Sequence, residues 1–154
     1  MAEFASNPIQ RVEAGQNVLL DTVIPCNKGY VFHRDQSGIV ILRGITEHCF
    51  ARYQIVFNAN IALPSDQEVG PISVALAIDG EPLQTSRAIV TPADVADDPP
   101  TANNFFNITS AAIVTIPRGC CFTVAIENTS SGVDGGVAPA VLVQNANMTV
   151  SRIA

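Results

Sequence analysis

Residues 50–63 read FARYQIVFNANIAL, and this stretch decides the fold. Ala51, Tyr53, Ile55, Phe57, Ala59 and Ile61 take every second position, while Phe50, Arg52, Gln54, Val56, Asn58 and Asn60 take the others. In an extended strand, a period of two sends the first set to one face and the second set to the opposite face. The first set is apolar and forms the core side, so the segment predicts a long, half-buried strand. Pro64 ends it, because proline cannot donate to a strand ladder.

The same rhythm continues in both directions. An acidic loop, Ser65-Asp66-Gln67-Glu68, leads to a strand over Ile72–Asp79. Asp79-Gly80 is a strong tight-turn signal, and Glu81–Val90 is expected to return antiparallel. Thr91–Asn104 is the one long irregular stretch, after which Phe105–Ile116 resumes the strand pattern. Pro117-Arg118-Gly119 turns it into Cys121–Glu127; beyond the Ser/Gly-rich loop 128–136, Ala140–Val143 and Asn147–Ile153 supply the last strands. Upstream, Gln16–Ile24 reads as a first strand, ended by Pro25 and the Asn27-Lys28-Gly29 turn, with Tyr30–His33 and Gly38–Leu42 following. Residues 1–14 read as a polar lead-in with a free N-terminus, ahead of one domain over 15–154. About ten short strands without a βαβ alternation make an all-β, antiparallel β-sandwich.

Composition narrows the function classes. Charged residues are 14% of the 154 and hydrophobic residues 47%, against roughly one quarter charged in an ordinary domain. The net charge is −6 and Lys28 is the only lysine, so no basic stripe is available for nucleic acid or an anionic membrane. The apolar runs are strand-length, which predicts no membrane insertion. The N-terminus lacks the basic and apolar regions of a signal peptide. Low charge with high apolarity has two readings: the domain buries unusually much, or, the favoured one, part of its apolar surface is covered by another copy of the chain.

The candidate chemistry is thin. Cys26, His33, His48 and Cys49 are metal-ligating types, but His48 and Cys49 are adjacent and point to opposite strand faces, unlike paired zinc ligands. Cys49 with His33 and an aspartate is a conceivable nucleophile and base, yet no GxSxG-type signature accompanies them. The expectation is therefore a non-enzyme with no catalytic, cofactor-binding or metal residue. Calcium is the other conceivable cation, at Asp94, Asp97 and Asp98 or at Asp66 and Glu68; the spacing matches no EF-hand loop, and solvated loops are the favoured reading. The four cysteines, Cys26, Cys49, Cys120 and Cys121, read as free thiols, with a bridge from Cys26 or Cys49 to the vicinal pair as the alternative. Asn107-Ile108-Thr109, Asn128-Thr129-Ser130 and Asn147-Met148-Thr149 match the glycosylation triplet. Arg43, Arg52 and Arg87 sit in or beside strands, and Arg52 is a candidate to pair with Glu47 or Glu81 within or between subunits.

Several stretches carry a family resemblance. VEAGQNVLLD, SGIVILRG, ARYQIVFNANIAL, GPISVALAIDGEPLQTSRAIVTP, AAIVTIPRGCCFTVAIENTS and VQNANMTVSRIA follow one another in the order of the tumour-necrosis-factor (TNF)-like jelly roll. Within that family the chain resembles the C-terminal domain of the exosporium collagen-like glycoprotein BclA, and related sequences of Firmicute genomes and prophages. Gly15, Tyr53, Asp79-Gly80-Glu81-Pro82, Ser86, Pro117, Gly119, Asn128, Asn145-Ala146 and Ile153 occupy the pattern positions. Two features depart from it: the chain holds no Gly-X-Y repeat, and the Cys120-Cys121 pair is outside the pattern. The resemblance implies a TNF-like jelly roll of about ten strands and a homotrimer with apolar strand faces along its axis. It also implies a structural module on a spore or virion surface. Loops Ser65–Gly70 and Thr91–Asn104 would then present themselves to a protein or glycan receptor; the alternative is a carbohydrate- or receptor-binding module.

Overall fold

A computed structural model describes residues 1–24 and 29–154. The expected stop at Pro25, Cys26 and most of the turn after it lie outside the described residues. Twelve strands are described: β1 (Ala2–Ser6), β2 (Gln10–Val12), β3 (Thr22–Ile24), β4 (Val31–His33), β5 (Val40–Arg43), β6 (Phe50–Ala62), β7 (Ile72–Ile78), β8 (Glu81–Pro82), β9 (Ala88–Val90), β10 (Phe106–Pro117), β11 (Cys121–Asn128) and β12 (Val141–Arg152). The helical content of the described residues is two single 3-10 turns, Gln84–Ser86 and Val133–Gly135. The strands form two antiparallel sheets. The first runs β10-β6-β12-β1-β3 with β2 also on β12, and the second runs β4-β5-β11-β7-β8 with β9 also on β7. The chain is an all-β sandwich.

The quoted stretch sits where the fold needs it most. β6 pairs along its whole length with β10, from Phe50 opposite Pro117 to Ile61 opposite Phe106, and on its other edge with β12. Its inward side chains Ala51, Tyr53, Ile55, Phe57, Ala59 and Ile61 are all buried against the second sheet's Leu42, Ile72, Leu76, Val124 and Ile126. Tyr53 donates its hydroxyl hydrogen to the Arg43 carbonyl at 2.6 Å, tying the long strand to β5 across the sandwich. The Asp79-Gly80 turn forms as expected, with φ of 50° and 82°, the paired positive values of a two-residue hairpin turn.

Four segments differ from the sequence reading. The lead-in contains a strand: β1 lies between β12 and β3, with Ala2, Phe4 and Ser6 buried. The five residues of β1 alternate too briefly to stand out, and the Phe4 ring is held by the core and by stacking on His33 at 5.5 Å. Gln16–Ile24 is not one strand, because it changes sheets. Val18 donates its N–H to the Ile126 carbonyl in the second sheet, whereas Thr22–Ile24 pairs with β1 in the first. The return strand after the hairpin breaks into β8 and β9 around the Gln84–Ser86 turn. There the buried Ser86 hydroxyl stands in for a ladder partner, accepting from the Leu76 N–H at 2.9 Å and donating to the Leu83 carbonyl at 2.7 Å. The two last strands are one, β12, with a bulge between Gln144 and Asn147 where Asn145 has φ of 52°.

One of the three glycosylation triplets is structural. Asn128 is 1% exposed. Its amide donates to the carbonyls of Val12 (2.9 Å) and Pro139 (3.1 Å), and its side-chain oxygen accepts from the Ser130 N–H (2.9 Å). Ser130 in turn joins Ser73 of β7 through both backbone groups of that residue. Buried amide groups are stable only when so satisfied. Asn128→Ala strands these partners and is expected to destabilise the fold by about 3 kcal/mol, read as a lowered denaturant midpoint with an unchanged slope. An unmoved midpoint would show that the clamp is dispensable.

Candidate functional site

Two surfaces follow from this architecture: the outward face of the first sheet and the loops at the end where β6 stops. The outward face presents the second half of each alternation. On β6 these are Gln54, Val56, Asn58 and Asn60; opposite them on β10 stand Ile113, Ala111, Thr109 and Asn107; β12 adds Ser151, Thr149 and Asn147. None of these carries a charge. Arg52 and Glu3 border the set, and the Glu3 carboxylate accepts from the Asn147 amide. The polar groups satisfy one another: Asn58 donates to Thr109 (2.6 Å) and Asn107 (3.2 Å), and Asn107 donates to Asn60 (3.1 Å). Ile113, 62% exposed, is the large apolar side chain among them. The face is therefore neutral and finely polar rather than apolar.

At the far end of β6 the structure brings the two expected recognition loops together. Arg11 of β2 binds the first of them, donating to both Asp66 carboxylate oxygens (2.9 and 3.0 Å) and to Glu13 of its own segment (2.8 Å). Arg11, Ser65, Asp66, Asp97, Asp98 and Pro100 line a cleft of about 290 Å3. Asp97 accepts from the Thr101 hydroxyl (2.6 Å) and the Asn103 amide (3.0 Å), which shapes the 91–104 loop around the cis Asp98-Pro99 bond. Hydrogen bonds from Arg11 and then Gln67 hold the Asp66 carboxyl below the usual aspartate range, and those from Thr101 and Asn103 do the same for Asp97. The Arg11 bridge was not foreseen, since residue 11 falls in the segment read as a lead-in and no local pattern marks it.

The other candidates are placed as follows. His33 lies on β4, stacked on Phe4, with Nε2 2.8 Å from the Ser37 carbonyl, whereas His48 and Cys49 are exposed in the loop before β6. No contact joins His33 to Cys49 as a nucleophile and base would require. Among the described residues no three His, Cys, Asp or Glu side chains converge as metal ligands, and Cys49, Cys120 and Cys121 are free and exposed. Asp94, Asp97 and Asp98 do not gather with Asp66 and Glu68 into a calcium-type cluster. Arg52 and Arg87 are exposed rather than buried, and Arg43 is half-buried. Arg52 lies 4.9 Å over the Phe50 ring instead of pairing with Glu47 or Glu81, Arg43 lies 5.3 Å over Phe32, and Arg87 Nε donates to the Ser73 hydroxyl at 3.0 Å.

No family model matches the chain, and no curated protein matches it. Solved structures do. The globular domain of zebrafish complement 1qA is 14% identical, with a TM-score of 0.50, covering 96% of this chain and 94% of that one. The Eiger TNF of S. frugiperda is 14% identical, with a TM-score of 0.54, covering 99% and 91%. The C-terminal domain of EclA, a sugar-binding protein, is 13% identical with a TM-score of 0.42, covering 94% and 79%. The two-sheet topology and the first two neighbours make this a jelly roll of the TNF and C1q type.

The Arg11 bridge gives the acidic end a defined pH response. A carboxyl whose pKa is depressed in the folded state contributes above its unfolded value and loses that contribution as pH falls through the folded one. The tie between β2 and the 64–68 loop is thus intact at neutral pH and is lost as pH falls below the ordinary aspartate range. NMR titration of Asp66 should give a midpoint below that of an ordinary aspartate, and Arg11→Ala should raise it toward the ordinary value, the Gln67 hydrogen bond remaining. A normal midpoint in the unaltered chain would remove the bridge.

Proposed function

We propose that this chain is a non-enzymatic structural and binding module that assembles as a homotrimer through the outward face of its first sheet and presents its end loops for attachment or recognition. The carrying observation is the neutrality of that face. A sheet exposed to water usually alternates core residues with charged ones, and here three adjacent strands offer only Asn, Gln, Ser, Thr, Ala, Val and Ile in their central rows. Burying a charge without a partner is costly, so a face meant for contact is kept free of charges while small polar groups hydrogen-bond within and across it. The closed threefold arrangement is the one the TNF-like resemblance implies, and it limits association to a finite particle.

The loops around Arg11 remain at one end of such an assembly, away from the sheet face, where a receptor can reach them. The placement on a spore or virion surface draws its support from the resemblance to the BclA C-terminal domain and prophage sequences. Immunogold labelling of intact spores and virions tests it, and gold found only in the cell interior would refute that placement.

Sedimentation at micromolar concentration should give three times the 16.3 kDa of one chain. Val56→Glu with Ile113→Glu puts charges into the face without touching the core, and is expected to yield a folded species of single-chain mass with an unchanged far-UV spectrum. An unaltered chain that sediments as a monomer would overturn the proposal.

A further inference from the structure

The end of the sandwich opposite the acidic cleft is basic, in a protein of net charge −6. Arg43, Arg52, Arg118 and Arg152, half of the eight basic residues, stand where β5, β10 and β12 end and β6 begins. The backbone there is closely laced. The Gly44 N–H donates to the Cys120 carbonyl (2.8 Å), the Gly119 N–H to the Gly44 carbonyl (2.9 Å) and the Arg118 N–H to the Cys49 carbonyl (2.9 Å). Gly44 is required, because a Cβ at that position would lie 2.1 Å from the Pro117 carbonyl oxygen. The lacing holds loops 44–49 and 117–120 side by side, and between them opens a cleft of about 590 Å3 whose walls include Tyr30, Thr46, His48, Arg118 and Arg152.

Two guanidinium groups enter this cleft with unspent donors. Arg152 lies over the Tyr30 ring, its guanidinium carbon 4.3 Å from the ring centre, and its Nε donates to the Ala154 main-chain oxygen at 3.2 Å. That oxygen also accepts from the Arg52 N–H at 3.0 Å, so it is occupied by donors. Arg118 is 61% exposed and stands 3.9 Å from the Glu47 carboxylate, beyond hydrogen-bond length. Among the described residues, Glu47, itself 95% exposed, is the one acidic side chain lining the cleft. Stacking on an aromatic ring fixes the plane of a guanidinium and leaves its edge free, and that edge matches the two oxygens of a carboxylate or phosphate. Asp66, Glu68, Asp97 and Asp98 line clefts away from this one, so they do not compete for its guanidinium groups.

We propose that the cleft between Arg118 and Arg152 binds an oxyanion, either the carboxylate of a sugar acid or a phosphate monoester, with Tyr30 and His48 as its walls. This reading does not depend on the trimer. The experiment is a heteronuclear NMR titration of the full chain at constant ionic strength with glucuronate, with inorganic phosphate in a parallel arm and glucose as the neutral control. Saturable shifts at Thr46, His48, Arg118 and Gly119 are expected with an anion and none with glucose. Saturation by glucuronate alone identifies a sugar acid, and saturation by phosphate alone identifies a phosphate monoester. Arg118→Ala should weaken binding about tenfold, the loss of one charge-assisted contact. Arg118→Lys keeps the charge and the fold but loses the fork, and should also weaken it. Glu47→Gln removes the competing carboxylate and should tighten binding severalfold. Absence of saturable shifts with both anions, or shifts that persist unchanged in Arg118→Ala, would overturn the site.

Discussion

The pleat of β6 is the constraint on which the rest of the molecule depends. It is a thirteen-residue strand with a partner on each edge, and its six inward side chains from Ala51 to Ile61 are all buried. A slip of one residue in its register would drive Arg52, Gln54, Asn58 and Asn60 into the core and turn Tyr53, Ile55 and Phe57 to water. That penalty fixes the register of β10 and, on each side of its bulge, that of β12. The two registers then dictate which side chains share the outward face and which loops meet at each end.

The excess of apolar residues goes mainly into the core between the sheets. Phe4, Tyr53, Phe57, Ile55, Leu76, Ile126 and Met148 interdigitate there, and the Tyr53 hydroxyl finds the Arg43 carbonyl, so even the polar tip is satisfied. The outward face of the first sheet is correspondingly unlike the greasy surface that composition implies. Its Asn58, Asn107, Asn60 and Thr109 side chains form a hydrogen-bonded mesh, which makes the face neutral without making it sticky. Contact through such a face draws its specificity from hydrogen bonds and shape, with Ile113 and Val56 as the apolar contributors.

Charge is sorted along the long axis. Carboxylates accumulate in the 64–70 and 91–104 loops, which line one cleft with Arg11, the cation bound to Asp66. Arginines accumulate at the opposite end, three of them laid on aromatic rings. In a chain with so few charges, this separation gives the two ends different chemistry.

The sequence by itself determined the strand class, the inward and outward sets of β6 and the Asp79-Gly80 hairpin, because side-chain period and turn chemistry are local properties. It also carried the jelly-roll resemblance, whose punctuation at Tyr53, Pro117 and Gly119 is local as well. Only the tertiary structure decided that Ala2–Ser6 is an inner strand, that Asn128 is a buried clamp and not an exposed acceptor, and that Arg11 of β2 bonds Asp66, far from it in the chain. It likewise set Arg118 and Arg152 across one cleft. Each of these depends on which distant segment arrives alongside, and strand pairing between remote residues leaves no periodic mark on either partner.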